Sequence, residues 1–513
     1  MNNRAVGWLL GCVLVLLAGF MLVPAVVSAW FREELAFEAF IWSALATAVA
    51  GGLLTFSCRG ATITEEGRVD YFRREGLAAV GLSWILAAMV GAMPFVFSGA
   101  MASPIDAFFE SASGFTTTGA TILTPEGIDG LPKGITFWRS FTHWLGGIGI
   151  VLVFVLLFPA GGRSLFRSEV PGISREAVQQ RVRDSALGLA QIYVALTLVE
   201  VLILWIVSGQ GLFDAFIHAF GTLATGGFSS HSESVLFYRS WRVEIILVVF
   251  MFAAGINFAV YDTFLRQGFR GAWRAAVHSS EIRAYAGIVV GSTLIIAISL
   301  WFWGGSNGNP DSDLPNYSSL GKSLRDSLFT VVSVQTSTGY GTEDFNRWPD
   351  ACRILLMVVA ICGACAGSTG GGMKVVRFLI LAKAALQGVR NFARPRAIHS
   401  VRLDGGSLPD ATVGMVMSYC GLWFLVFLLG TLIISGMDLD PPSGFEDQVL
   451  LTAATSVLAT LNNIGPGLAA VGPASNFAFM PDPAKLLLSF FMILGRLEFY
   501  AVVILFVPRF WRS

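Results

Sequence analysis

Apolar residues run along this chain in blocks of roughly 20 positions, the length that crosses a bilayer as a helix, and the polar residues collect in the gaps between them. The first block, Trp8 to Trp30, follows Arg4. It exceeds the roughly 7 to 15 residues of a signal-peptide core and reads as a retained first helix. Further blocks near residues 36–57, 75–99, 135–159, 184–208, 239–267, 282–304, 351–381, 411–436 and 484–508 predict about ten spans in all. The expected fold class is an all-α polytopic membrane protein.

A second kind of segment interrupts this pattern. Four apolar stretches are too short to span, at roughly 10 to 14 residues, and each ends in a polar, glycine-containing turn. They read "SPIDAFFESASGFTTTGAT", "GLFDAFIHAFGTLATGGFSS", "SLRDSLFTVVSVQTSTGYGT" and "FEDQVLLTAATSVLATLNNIGPG". Near the start of each stands an acid, Asp106, Asp214, Asp326 or Asp447, which complements the positive end of a helix dipole. With a span on either side, each stretch forms one unit of a helix, pore loop, helix repeat about a hundred residues long. The units run over 75–183, 184–281, 282–410 and 411–513, after an N-terminal helix pair and loop at 1–74.

Bare backbone at membrane depth is tolerated only where it is buried in protein or lines water, since each unpaired N–H or C=O in hydrocarbon costs several kcal/mol. Four such turns therefore converge on one axis in a pseudo-fourfold arrangement, with the carboxyl ends of the short helices aimed at its centre. Those are the negative ends of the dipoles, and a cation is the occupant they favour. Rings of backbone carbonyls can replace the water of a monovalent cation, as in the TVGYG loops of potassium channels, and "TGYG" at Thr338 to Gly341 comes close to that sequence. Gly119, Gly226 and Gly465 are expected at the corresponding point of the other loops, where glycine permits the required dihedrals.

Composition removes several function classes. Hydrophobic residues make up 54% and charged residues 13%, against about 25% charged in soluble domains. The 34 basic and 34 acidic residues balance, so no overall field points to nucleic acid. Their distribution matters more. Arg59, Arg68, Arg73 and Arg74, then Arg163, Arg167, Arg175, Arg181 and Arg183, then Arg266, Arg270 and Arg274, then Lys383, Arg390, Arg394, Arg396 and Arg402 mark one set of loops as cytoplasmic, together with both termini. The opposite loops carry acids such as Asp311, Asp313, Glu343, Asp344 and Asp350. They are either a solvated face or an outer vestibule that concentrates cations. The six cysteines sit mostly in apolar runs and read as packing, including the Cys362 and Cys365 pair, which lacks a redox or metal context. No paired acids, Ser/His set or metal ligands gather within the spans, so an enzyme is not expected.

The eighth span is broken by "GACAGSTGGGMK", Gly363 to Lys374, although each glycine in a helix costs about 1 kcal/mol relative to alanine. A Walker A loop would need Gly-Lys-Ser/Thr, and Met373 separates Gly372 from Lys374. His143, Asn257 and Glu110 read as buried hydrogen-bonding partners that hold the turns in place.

Together "FTTTGAT", "ATGGFSSH", "TSTGYG", "NNIGPG", "GSTGGGMKVVR" and "LGRLE" resemble the TrkH family of bacterial Trk potassium uptake subunits, in the superfamily shared with KtrB and plant HKT transporters. The likeness covers nearly the whole chain, including the extra N-terminal helix pair. It implies potassium as the bound and transported ion, with rubidium as a substitute, and no covalent cofactor. The implied filter positions are Thr117, Thr118, Gly119, Thr225, Gly226, Thr338, Gly339, Tyr340, Asn463, Ile464 and Gly465, with Thr117, Thr225, Thr338 and Asn463 as potassium ligands. The implied gate is Gly367, Ser368, Thr369, Gly370, Gly371, Gly372 and Lys374, beneath the filter, with Arg496 facing it as an electrostatic barrier. An intramembrane charge faces a cavity or a partner, and a salt bridge from Arg496 to Glu498 is the plainer alternative. The resemblance also implies a homodimer in the bacterial inner membrane and a cytosolic nucleotide-binding regulatory partner of the TrkA type. The competing readings are the potassium-translocating subunit of an ATP-driven pump, a sodium-permeable relative and a secondary transporter with discontinuous helices.

Overall fold

The computed structural model describes residues 2–59, 73–157, 175–303, 317–393 and 400–511. Arg68, Arg163, Arg167, Arg394 and Arg396 of the basic loops, and Asp311 and Asp313 of the acidic ones, lie outside these ranges.

The chain opens with a hairpin of α1 (Asn3–Trp30) and α2 (Glu34–Ser57). The two helices approach so closely that a Cβ on Gly11 would stand 2.8 Å from Gly51 O, which only small residues allow. The hairpin lies against α3 (Arg73–Phe97) and α6 (Lys133–Leu157), and between those two come the short α4 (Pro104–Phe115) and α5 (Pro125–Asp129). Next follow α7 (Arg175–Ser208), the short α8 (Leu212–Leu223), α9 (Trp241–Ala254) and α10 (Ala259–His278). A third group comprises α11 (Ser280–Trp301), α12 (Leu320–Gln335), α13 (Asp350–Cys362) and α14 (Val375–Ala393). After a two-residue antiparallel hairpin, β1 (Arg402–Leu403) and β2 (Gly406–Ser407), come α15 (Asp410–Ser435), α16 (Val449–Leu461), α17 (Asp482–Arg496), α18 (Tyr500–Val503) and α19 (Pro508–Trp511).

Among the described residues, six helices, α1, α2, α3, α7, α11 and α15, are long and apolar enough to cross a membrane unbroken. The expected span at 239–267 is instead a bent pair, α9 and α10, meeting at 99° across residues 255–258. The expected span at 484–508 likewise stops at Arg496, because Glu498 and Phe499 adopt left-handed backbone at φ 57° and 54°. The break in the eighth span is present between α13 and α14.

The short helices start where local chemistry directs. Ser103 caps α4 by accepting from Asp106 N at 3.3 Å, with Pro104 opening the first turn. Asp106 and Asp214 occupy the first turns of α4 and α8. Asp326 does not do so in α12, which begins six residues earlier at Leu320, and Asp447 lies in the single turn before α16.

Buried apolar side chains form two large clusters around these short helices. One joins Phe40, Trp84, Phe109, Trp138, Val457 and Met492; the other joins Leu204, Leu247, Tyr285, Phe329, Leu356 and Ile464. The outer faces stay apolar, as at Ile206 (69% exposed) and Leu432 (68% exposed). Lipid accepts such faces because its tails are as apolar as leucine.

Candidate functional site

Each of α4, α8, α12 and α16 ends in the same hydrogen-bonded cap. Thr117 N, Thr225 N, Ser337 N and Asn463 N donate three residues back, to Gly114, Thr222, Val334 and Thr460, at 3.0 to 3.3 Å. The next residues, Thr118, Gly226, Thr338 and Ile464, donate five residues back, to Ser113, Gly221, Ser333 and Ala459, at 2.7 to 2.9 Å. This is a Schellman cap, normally built on glycine at its left-handed position. Here that position holds Thr117 (φ 52°), Thr225 (φ 57°), Ser337 (φ 60°) and Asn463 (φ 52°). Each such residue carries a strain of about 1–2 kcal/mol, and strain of this kind gathers at functional sites.

Two residues on, each loop turns left-handed again at a glycine: Gly119, Gly227, Gly339 and Gly465, with φ between 80° and 94°. A Cβ on Gly119 would stand 2.1 Å from Gly226 O, one on Gly227 would stand 1.9 Å from Thr338 O, and one on Gly339 would stand 2.1 Å from Ile464 O. The circle closes with a Cβ on Gly465, which would stand 2.9 Å from Thr118 O. Every loop thus sets its glycine against the equivalent carbonyl of the next, and the negative ends of four short helices face one centre.

This closure sets the register and revises two expectations. Gly227, not Gly226, is the counterpart of Gly119. Gly226 is glycine for another reason: a Cβ there would lie 2.4 Å from the His143 ring. Likewise Ser337, not Thr338, aligns with Thr117, Thr225 and Asn463, while Thr338 aligns with Thr118, Gly226 and Ile464. The run Ser337-Thr338 offers two hydroxyls, and only the cap distinguishes them.

Polar side chains brace the ring from outside. The Thr116 and Thr118 hydroxyls stand 2.8 Å apart, as do those of Thr336 and Thr338. Asn463 Nδ2 donates to Thr118 Oγ1 at 2.9 Å and to Met492 O at 2.8 Å. The Tyr340 side chain points into the wall, its hydroxyl donating to His218 O at 3.0 Å, while its carbonyl accepts from Ser333 Oγ at 2.7 Å. His143 Nδ1 lies 2.8 Å from Gly114 O, and Phe228 N donates to His143 Nε2 at 3.3 Å, so this side chain joins the first loop to the second. Glu110 accepts from Ile122 N at 3.1 Å. Arg139, Gly227, Ser337 and Asn346 were not singled out in the sequence. For Arg139 a signal existed: it precedes His143 by one helical turn and so shares its face.

The glycine-rich break lies against two of the caps. Gly371 N donates to Ser337 Oγ at 2.8 Å, and Met373 N donates to Asn462 Oδ1 at 3.4 Å. Its other side docks on the bend between α9 and α10, where Cys365 N donates to Gly255 O at 3.0 Å and Phe258 N to Gly367 O at 2.9 Å. Asn257 Oδ1 accepts from Ala259 N at 2.8 Å within the same bend. Ser368 bonds locally to Cys365 O at 2.6 Å, and Lys374 Nζ donates to Gly370 O. Arg496, 2% exposed, donates through Nη1 to Thr369 O at 2.6 Å and through Nη2 to Gly146 O at 3.2 Å. Glu498 pairs with Arg377, whose guanidinium lies 3.9 Å over the Tyr419 ring, rather than with Arg496. The buried guanidinium of Arg496 thus links a carbonyl of the broken segment to one of α6.

Apolar helices of spanning length around four short helices, whose loops close into a ring, define a polytopic membrane protein. Residues 39–513 match the model of the TrkH family, described as cation transport protein, and the chain belongs to that family. It is 36% identical to the Trk system potassium uptake protein TrkH of Salmonella typhimurium and to that of Escherichia coli K12, over all of each chain. The Trk system potassium uptake protein TrkG of Escherichia coli K12 is 31% identical over 99% of both chains. The crystal structure of the potassium transporter TrkH from Vibrio parahaemolyticus superposes with a TM-score of 0.85 at 32% identity, covering both chains completely.

Proposed function

We propose that this protein takes potassium up across a bacterial inner membrane through a filter built from its four loops. The observation that carries the reading is the closed circle in which Gly119, Gly227, Gly339 and Gly465 abut the carbonyls of residues 226, 338, 464 and 118. Close, uncharged oxygens can replace the hydration shell of a monovalent cation without trapping it. The full-length relatives named as potassium uptake proteins support the choice of ion. Potassium is cargo here, and the work of the chain is transport rather than catalysis of a covalent step.

The glycine segment from Gly367 to Gly372, with Lys374, obstructs the route beneath the filter and moves aside to open it. Arg496 holds that segment and adds a positive barrier. A cytosolic nucleotide-binding subunit of the TrkA type controls the movement, and the chain works as a homodimer with both termini in the cytoplasm.

Flux into liposomes carrying the purified chain tests the reading, with potassium, rubidium, sodium and lithium compared. Potassium and rubidium are expected to pass and sodium and lithium to lag. Sodium passing as readily as potassium overturns the potassium filter, and copurification of a P-type ATPase would favour the pump subunit instead.

A further inference from the structure

Three junctions between neighbouring loops are braced by neutral groups among the described residues. Tyr340 bonds to His218 O at 3.0 Å between the third and second units, and Asn463 bonds to Thr118 Oγ1 at 2.9 Å between the fourth and first. Asn346 exchanges two hydrogen bonds with Ala469, at 3.1 and 3.0 Å, between the third and fourth. Ion pairs also join the second and third units, Arg325 with Glu244, and the fourth and first, Lys485 with Asp106, near the starts of the short helices. At the first and second loops a buried ion pair stands instead beside the ring glycines, next to the His143 bridge.

Arg139 Nε donates to Glu110 Oε1 at 2.8 Å, with the two side chains 2% and 0% exposed. Glu110 also accepts from Ile122 N at 3.1 Å and from the Thr121 hydroxyl at 2.9 and 3.0 Å, on the outgoing strand of the first loop. Arg139 Nη1 donates to Ser229 O at 3.3 Å on the outgoing strand of the second, and Nη2 reaches Thr121 Oγ1 at 3.4 Å. Its guanidinium lies 4.0 Å from the centre of the Phe228 ring, on which the His143 ring also stacks at 4.2 Å. Both partners belong to the first unit, and Arg139 carries the contact across to the second loop at Ser229 O and the Phe228 ring.

The pair also has an electrostatic side. Arg139 lines the open cavity outside the ring, alongside Gly119, Gly227, Gly339 and Gly465. A bare guanidinium there would repel an entering cation, and in a buried site water screens it little. Glu110 cancels that charge while leaving the fork of donors in place.

We propose that Glu110 and Arg139 are positioning residues for cation selectivity, setting the spacing of the first and second loops while keeping the entrance electrically neutral. The proposal rests on the reading of the loops as a cation filter. It makes geometry and charge separable, because Arg139→Lys keeps the charge and loses the fork, whereas the double variant Glu110→Gln, Arg139→Gln removes both charges together.

The test is flux of potassium and sodium into liposomes with the full chain, giving a potassium-to-sodium ratio and a half-saturating potassium concentration. For Glu110→Gln the ratio should fall about tenfold, equivalent to ~1.4 kcal/mol between the two ions, and half-saturation should rise. Arg139→Lys should lower the ratio and leave half-saturation unchanged. The double variant should return half-saturation to its starting value and keep the ratio low. If Glu110→Gln fails to fold, the other two variants carry the test. A folded Arg139→Lys protein with the original ratio, or a double variant that regains it, overturns the proposal. Wild-type protein that passes both ions alike overturns the filter reading itself and is thereby distinguished.

Discussion

Asn463 Nδ2 donates to Thr118 Oγ1 across 2.9 Å, so two residues 345 positions apart in the chain close the ring between its last loop and its first. The same amide donates to Met492 O at 2.8 Å, tying that closure to α17.

Replacing Asn463 with alanine removes both bonds, each worth about 0.5–1.5 kcal/mol. It also places alanine at φ 52°, a region asparagine tolerates better. The melting temperature in detergent should fall, and potassium should lose its advantage over sodium in liposome flux. A protein as stable and selective as the wild type would remove Asn463 from the closure.

Gly227 and Gly226 should respond differently to alanine. At Gly227 the new Cβ meets Thr338 O at 1.9 Å from backbone already at φ 80°, so flux should be abolished. At Gly226 the obstacle is the His143 ring at 2.4 Å, a side chain that can be shortened. Adding His143→Ala to Gly226→Ala should therefore restore part of the lost folding yield, whereas it should do nothing for Gly227→Ala. Measuring monodisperse protein after purification separates the two cases.

Arg496→Ala removes the donors to Thr369 O and Gly146 O together with a buried positive charge. Cation flux without any partner subunit should rise several-fold, since roughly 1 kcal/mol off a barrier is worth about fivefold. Arg496→Lys keeps the charge but lacks the second arm, and its flux should fall between the two. Unchanged flux in folded Arg496→Ala protein would deny Arg496 a barrier role.

Glu498 holds left-handed backbone at φ 57° while pairing with Arg377. Glu498→Gly relieves the backbone but loses the pair, and Glu498→Gln keeps the strain and weakens the pair. If the pair is what maintains the break after α17, Glu498→Gly should lower the melting temperature more than Glu498→Gln does. The reverse order would assign the break to backbone preference instead.

Much of this arrangement could be read along the chain. The spans are visible because a helix facing lipid needs an unbroken apolar run, and the loops are visible because polar, glycine-rich turns have no place in that run unless they are gathered together. The glycine break before Lys374 was legible for the same reason. The bend at residues 255–258 was not: apolar residues continue on both sides of "GINF", and hydropathy does not distinguish a straight helix from a bent one.

The sequence by itself determined that this is a membrane protein with four repeated loops, because burial in lipid and the length of a bilayer constrain every window of the chain locally. Tertiary structure decided which glycine of Gly226-Gly227 turns the second loop, which hydroxyl of Ser337-Thr338 falls in register, and that Glu498 takes Arg377 while Arg496 takes the carbonyl of Thr369. Those choices depend on atoms from distant parts of the chain, such as Ile464 O against Gly339, and contacts of that kind exist only once the helices have packed.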